Sequence, residues 1–204
     1  MSPKRPTSPA EPATDTAKPR AAERIRSTAR DLFYREGIRA VGVDEIVTSA
    51  GVTKPSLYRS FASKDELAAE YLRDYDGEFW QRFEAGAATH PDDPREQLRI
   101  YLRHLSARAV QPDYRGCGLT NAAVEYPQAD HPARKVAQAS KRRLQARLAD
   151  MCRAIGADNP EVLADGLLLL IEGSYASGQM FGRNGPARSL VEVADALIDA
   201  SLRG

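Results

Sequence analysis

The sequence predicts an all-α fold of about nine helices, with a three-helix helix-turn-helix unit first and a larger helical body behind it. Three features of the 204-residue chain predict it. Apolar residues recur at i, i+3, i+4 and i+7 in one segment after another, the spacing of a single helix face. Gly37, Gly51, Pro94, Pro127, Pro160 and Pro186 stand at the boundaries of those segments, where helices start and stop. No segment alternates apolar and polar residues as a half-buried strand would, and no internal repeat is visible.

Residues 1–20 are Pro, Ser, Thr, Ala and charge without periodicity, so a disordered arm is expected. Its Lys4, Arg5, Lys18 and Arg20 are candidates for phosphate or minor-groove contact. The first helix is expected over residues 21–36, with Ile25, Ala29, Leu32 and Phe33 as its buried stripe and Gly37 as its stop. Val43, Ile46, Val47 and Ala50 line one face of a second, short helix. Gly42 is an acceptable cap for it, and Gly51 supplies the left-handed residue of a sharp stop. Val52 follows as an apolar plug, and the Thr53 hydroxyl is expected to cap a third helix. Pro55 fits that helix's first turn, where the N–H has no intrahelical partner. Leu57 and Phe61 then point to the core, leaving Lys54, Ser56, Tyr58 and Arg59 outside.

Ser63 and Glu66 form the S-x-x-E pattern of a capping box and open the fourth helix. It runs through Tyr71, Tyr75, Phe79 and Phe83 to near Gly86, long enough to link the two parts mechanically. Leu98, Leu102, Leu105 and Ala109 predict a helix over residues 94–110, and a short one follows over 119–125. The seventh, over 131–155, turns Ala137, Leu144, Leu148, Met151 and Ile155 inward and leaves Arg134, Lys135, Lys141, Arg142, Arg143 and Arg147 to solvent. Residues 160–181 make the most apolar helix, to be buried on more than one side. Its second half (Gly173, Ser174, Ala176, Ser177, Gly178) is small enough for close helix approach. The ninth helix is expected over 188–202. The chain thus divides into an arm at 1–20, a helix-turn-helix unit at 21–66 and a body at 67–204.

The second helix of the pair carries donors and no acids, which suits a DNA major groove. Thr53, Lys54, Pro55 and Ser56 begin it: Lys54 can donate to guanine, Ser56 to either base type, and Pro55 can touch a thymine methyl. Tyr58, Arg59 and Lys64 are assigned to phosphates, which fix register without reading sequence. Lys64 lies in the first turn of the fourth helix, whose free N–H groups attract the same anion.

The run AGVTKPSLYRSFASKDEL, with ARDLFYREG upstream, resembles the DNA-binding domain of the TetR (tetracycline-repressor-like) family over residues 22–72. The AGV turn, the LY pair, the aromatic three residues beyond the Tyr and the later Lys occur together in order. Gly42 departs from the Ser or Thr often found there. The resemblance implies backbone contacts at Tyr58 and Lys64, a homodimer paired through a four-helix bundle of the last two helices, and an effector pocket in the body. Candidate linings are Trp80, Phe83, Tyr101, His104, Asn121, Glu125, Tyr175 and Gln179, aromatics with sparse polar groups. Cys117, counted with them as a ninth ligand-binding candidate, stands at the start of a short helix two residues from Arg115 and has the setting of a reactive thiol. Some members of the family sense electrophiles or oxidants through a cysteine in a comparable stretch. Cys152 reads as packing.

Net charge is +1, but residues 20–65 hold nine Lys/Arg against six Asp/Glu, a modestly basic segment on a near-neutral chain. Two cysteines without a CxxC make no disulfide framework. No apolar run approaches the roughly 20 residues that span a bilayer, and no apolar signal core is present. A cytoplasmic protein without a membrane partner is expected. His90, His104 and His131 lack metal-ligand spacing, and GxSxG, glycine-rich phosphate and P-loop motifs are missing. Neither catalysis, metal nor cofactor is expected. The expected function is a transcription regulator, a repressor released from a palindromic double-stranded DNA operator by a small-molecule effector. Two alternatives stand beside it: a thiol switch at Cys117, and a small-molecule-binding helical protein without operator specificity.

Overall fold

The computed structural model describes residues 20–202. Residues 1–19 of the expected arm, with Lys4, Arg5 and Lys18, lie outside the described residues, and Arg20 is the N-cap of the first helix, its backbone N–H donating to the Glu23 carboxylate at 2.9 Å. Among the described residues are nine α-helices: α1 (Ala21–Glu36), α2 (Val43–Ser49), α3 (Lys54–Ser60), α4 (Lys64–Ala87), α5 (Pro94–Ala109), α6 (Gly118–Glu125), α7 (Pro132–Ile155), α8 (Pro160–Phe181) and α9 (Leu190–Ser201). Two short 3₁₀ turns, Gly182–Asn184 and Pro186–Ser189, join α8 to α9 and occupy the start expected for the ninth helix.

The α1 stripe is buried as its spacing predicts. Gly51 holds φ at +61°, so the chain reverses between α2 and α3 without the strain a side chain would add. Leu57 is fully buried under α3, which stabilises that short helix's seat by about 2 kcal/mol. Two capping expectations are corrected. Thr53 occupies the N-cap of α3, but its hydroxyl makes no cap hydrogen bond. Ser63 Oγ accepts the Glu66 N–H at 3.1 Å, yet the Glu66 carboxylate turns to Arg73 and leaves the reciprocal half of the box unmade.

α4 packs on α1 near its start and on α5 and α7 further along. α7 and α8 lie along each other, with α6 on α7 and α9 on α8 and α5. Buried side chains run from Ile25, Ile46 and Leu57 through Leu67 and Leu72 of α4 into Leu148, Leu167 and Ile171 as one core. The small residues of α8 earn their place at Gly178, where a methyl group would lie 2.7 Å from the Tyr114 ring and 2.9 Å from the Ala109 carbonyl oxygen.

The basic face of α7 needs a third correction. Lys135, Arg142 and Arg143 are exposed as expected. Lys141 instead points inward to an ion pair with Glu172 at 2.6 Å. Arg134 donates to the Ala123 carbonyl oxygen. The Arg143 guanidinium lies 4.0 Å from the Trp80 ring, and Arg147 sits over Phe83. These stems cover the aromatic side of α4 while their heads keep polar or π partners.

Candidate nucleic-acid interface and body cavity

α3 presents Thr53, Lys54, Pro55, Tyr58 and Arg59 on its exposed side, with Ser56 half-buried. Tyr58 is 50% exposed, so its ring is not spent on packing. Two groups are pre-positioned within this face. Lys54 Nζ lies 2.9 Å from Asp44 of α2, and the Arg59 guanidinium donates to Ser56 Oγ at 2.8 Å. Both pairs are exposed, so each contributes little to stability.

Lys64 stands differently from its neighbours. Its half-buried ammonium donates to the carbonyl oxygens of Ile38 at 2.8 Å and Val41 at 2.7 Å. Two of its three N–H donors therefore hold the α1–α2 connector, and one remains for a phosphate. The sequence showed the cation but not these carbonyls, which lie more than twenty residues away.

In the body, α4, α5 and α8 enclose a cavity of about 480 Å³. Phe83, Tyr101, His104 and Tyr175 line it, four of the nine expected residues. The Tyr101 and Tyr175 hydroxyls meet at 3.1 Å. Burial pushes both phenols upward, so they stay neutral. The lining also includes Tyr75, Phe79, Arg82, Ile100, Arg108 and Gln111. Tyr75, Phe79 and Phe83 share one helical stripe, so the first two were visible as buried positions without being recognisable as cavity wall.

The other five expected ligand residues do not line the cavity. Trp80 lies behind it, 5% exposed, with its ring 5.1 Å from Phe79 and 5.5 Å from Phe83. Cys117 is buried, and the cation within reach of its sulfur is Lys141 at 3.5 Å. Arg115 turns instead to a separate cleft between the short N-terminal helices and the body, which Asn121, Glu125 and Gln179 also line. There Asn121 donates to the Arg115 carbonyl oxygen at 2.7 Å, and Glu125 accepts the Arg39 backbone N–H at 2.7 Å. Cys152 is buried, as a packing residue should be, and burial pushes its thiol up to about 11.

Further contacts tie the N-terminal helices to the body. Arg26 of α1 pairs with Asp74 of α4 at 2.7 Å. Arg30 grips Glu78 with both terminal nitrogens, one at 2.7 Å. The Tyr34 hydroxyl accepts from the Arg115 N–H at 3.2 Å. His131 caps α7, stacks on Tyr126 at 3.8 Å and approaches Asp65 at 3.5 Å. No helix among the described residues is long and apolar enough to cross a membrane.

A helix-turn-helix reading head mounted on an all-α body, with an aromatic cavity under the helix that joins them, defines the class of a DNA-binding regulator. The profile described as "Bacterial regulatory proteins, tetR family" matches residues 25–71. The structure of SCO4454, a TetR-family transcriptional regulator from Streptomyces coelicolor, superposes with a TM-score of 0.85 at 27% identity, covering 90% of this chain and 96% of that one. A TetR transcriptional regulator from Streptomyces avermitilis (sav143) is 30% identical, with a TM-score of 0.77 and coverage of 90% and 98%. BdcR of Escherichia coli, an HTH-type transcriptional repressor, is 40% identical over 57 residues, 28% of this chain and 29% of that one. The chain spans about half the length or less of the first curated relatives it matches. The chain belongs to the TetR family of bacterial transcriptional regulators.

Proposed function

We propose that the chain acts as a homodimeric repressor that holds a palindromic operator and leaves it when a small molecule fills the body cavity. One observation carries the reading. α4 begins at Lys64, just after α3 ends at Ser60, and further along it supplies Phe79 and Phe83 to the cavity wall. A ligand that favours one position of α4 therefore also favours one spacing of the two reading heads. To lower operator occupancy tenfold it needs about 1.4 kcal/mol of differential affinity.

In this reading residues 21–66 form the reading head and residues 67–204 the effector and dimerisation body. Thr53, Lys54, Pro55 and Ser56 face bases, while Tyr58, Arg59 and the remaining donor of Lys64 face phosphates. Pairing through α8 and α9 is supported by an exposed apolar surface with Leu169 at 73% and Val193 at 48% exposure. Release by ligand and residence in the cytoplasm, where the DNA lies, follow from the same proposal. BdcR, similar to this chain over 57 residues, is likewise a repressor.

The test is fluorescence anisotropy on a duplex from the gene's own upstream region and on a random duplex, at rising salt. Specific binding survives salt that strips the random duplex. Equal loss from both removes operator recognition.

A further inference from the structure

We propose that the ligand of the body cavity is an aromatic carboxylate, its rings among the aromatic side chains and its acid on Arg108. This rests on the reading of the cavity as the effector site and names the chemistry it selects.

The cavity's size, about 480 Å³, lies within the range that encloses a small organic molecule. Its wall is largely π surface. Tyr101 meets Phe79 at 5.8 Å with ring planes 82° apart, and Phe83 at 5.1 Å and 59°. Rings set at these angles offer both faces and edges to a guest, so a flat ring system finds stacked and edge-on contacts together.

Charge decides the rest. Among the described residues no Asp or Glu lines the cavity, and the two permanent charges on its wall are Arg82 and Arg108. Arg82 already has a partner in Glu78 at 3.4 Å. Arg108 pairs with no carboxylate among the described residues; its neighbours are the phenols of Tyr75, Tyr34 and Tyr114. Arg108 stands at the exposed rim of the cavity, and a guanidinium whose near neighbours are neutral phenols keeps donors for an anion; a carboxylate matches its fork with two hydrogen bonds. A cationic guest would instead meet two arginines and no acid. Tyr75, Arg82 and Arg108 also line the adjoining groove against Arg30, Asp31 and Tyr34 of α1. An acid bound at Arg108 thus sits at the junction between the cavity and the N-terminal helices.

The experiment is calorimetric titration of the full chain, without DNA, with three probes on one ring system: 2-naphthoate, 2-naphthamide and 2-naphthylmethylammonium. A hydrogen-bonded charge contributes enough to separate carboxylate from amide by about tenfold or more. The expected order is naphthoate tightest and the ammonium weakest. Arg108→Met should bring the carboxylate-to-amide ratio close to one, and Arg108→Lys, a point charge, should leave an intermediate ratio. Ile100→Trp, which fills the cavity, should abolish naphthoate binding. A wild-type ratio near one overturns the proposed class while leaving the cavity as an effector site. An unchanged ratio in Arg108→Met overturns the role of that residue. No binding of any probe overturns the effector-site reading along with this one.

Discussion

The Glu125 carboxylate at the end of α6 accepts the backbone N–H of Arg39 at 2.7 Å. The Arg39 guanidinium in turn reaches the Glu125 carbonyl oxygen at 3.3 Å. A body helix thereby holds the connector between α1 and α2, the same connector that Lys64 holds from the start of α4. The seat of the reading head is set by hydrogen bonds from both sides.

Glu125→Ala should free the Arg39 amide. The contact is exposed, so its worth is set at the low end, roughly 1 kcal/mol, or about fivefold in a local opening equilibrium. Amide hydrogen exchange resolved at Arg39 checks this. An exchange rate equal to that of wild type shows that the contact does not restrain the connector.

Lys64→Ala should act twice. Leaving the Ile38 and Val41 carbonyls without their donor should cost about 1–3 kcal/mol of stability, read from urea unfolding. Its remaining donor is assigned to phosphate, so the slope of log affinity against log salt should also fall by about one unit. Loss of stability with an unaltered slope would make Lys64 a structural residue alone.

Acid should loosen the joint between α1 and α4. The Arg30 guanidinium, by hydrogen bonding and by charge, holds the Glu78 carboxyl below its ordinary 4.5. A depressed folded-state value contributes stability above the unfolded pKa and loses it as pH falls through the folded one. Unfolding midpoints should therefore drop below about pH 4.5. Because Glu78 is about one-third exposed, the contribution is modest. Glu78→Gln should flatten that part of the profile, and identical profiles for the two proteins would assign the acid sensitivity elsewhere.

Leu169→Asp should split the proposed dimer. Leu169 is 73% exposed on α8 and lies in an apolar groove with Leu190 and Val193 of α9. Facing water it has no folding role, so the subunit's thermal stability should change by less than about 0.5 kcal/mol. Facing a second copy, a carboxylate there is buried without a partner. Sedimentation velocity of the variant should give a single subunit, and a persistent dimer would move the interface to another face.

The body shows where sequence reading loses its grip. Helical spacing put Tyr75, Phe79 and Phe83 on one buried stripe of α4, and all three are at least half-buried. Spacing does not say whether the far side of such a stripe is another helix or a cavity, because both demand apolar side chains. Trp80 illustrates the ambiguity: it has the makeup of a ligand contact, yet it packs behind the wall under the Arg143 guanidinium. Asn121, Glu125 and Gln179 were grouped with the cavity by residue type and instead line the cleft beside α1. Lys141 looked like a solvated lysine because its partners, Glu172 and Cys117, come from helices distant in the chain.

The sequence by itself determined the nine helices, the turn at Gly51 and the exposed donors of α3, since helix periodicity, caps and glycine conformations are local properties of a few consecutive residues. The family likeness was legible for the same reason, as its motif lies within one short run. Only the tertiary structure decided that Lys64 holds Ile38 and Val41, that Glu125 holds Arg39, and that Arg108 lines an aromatic cavity with no acid partner among the described residues. Those pairings depend on how helices cross, and crossing is fixed by side-chain packing over the whole core rather than by any local pattern.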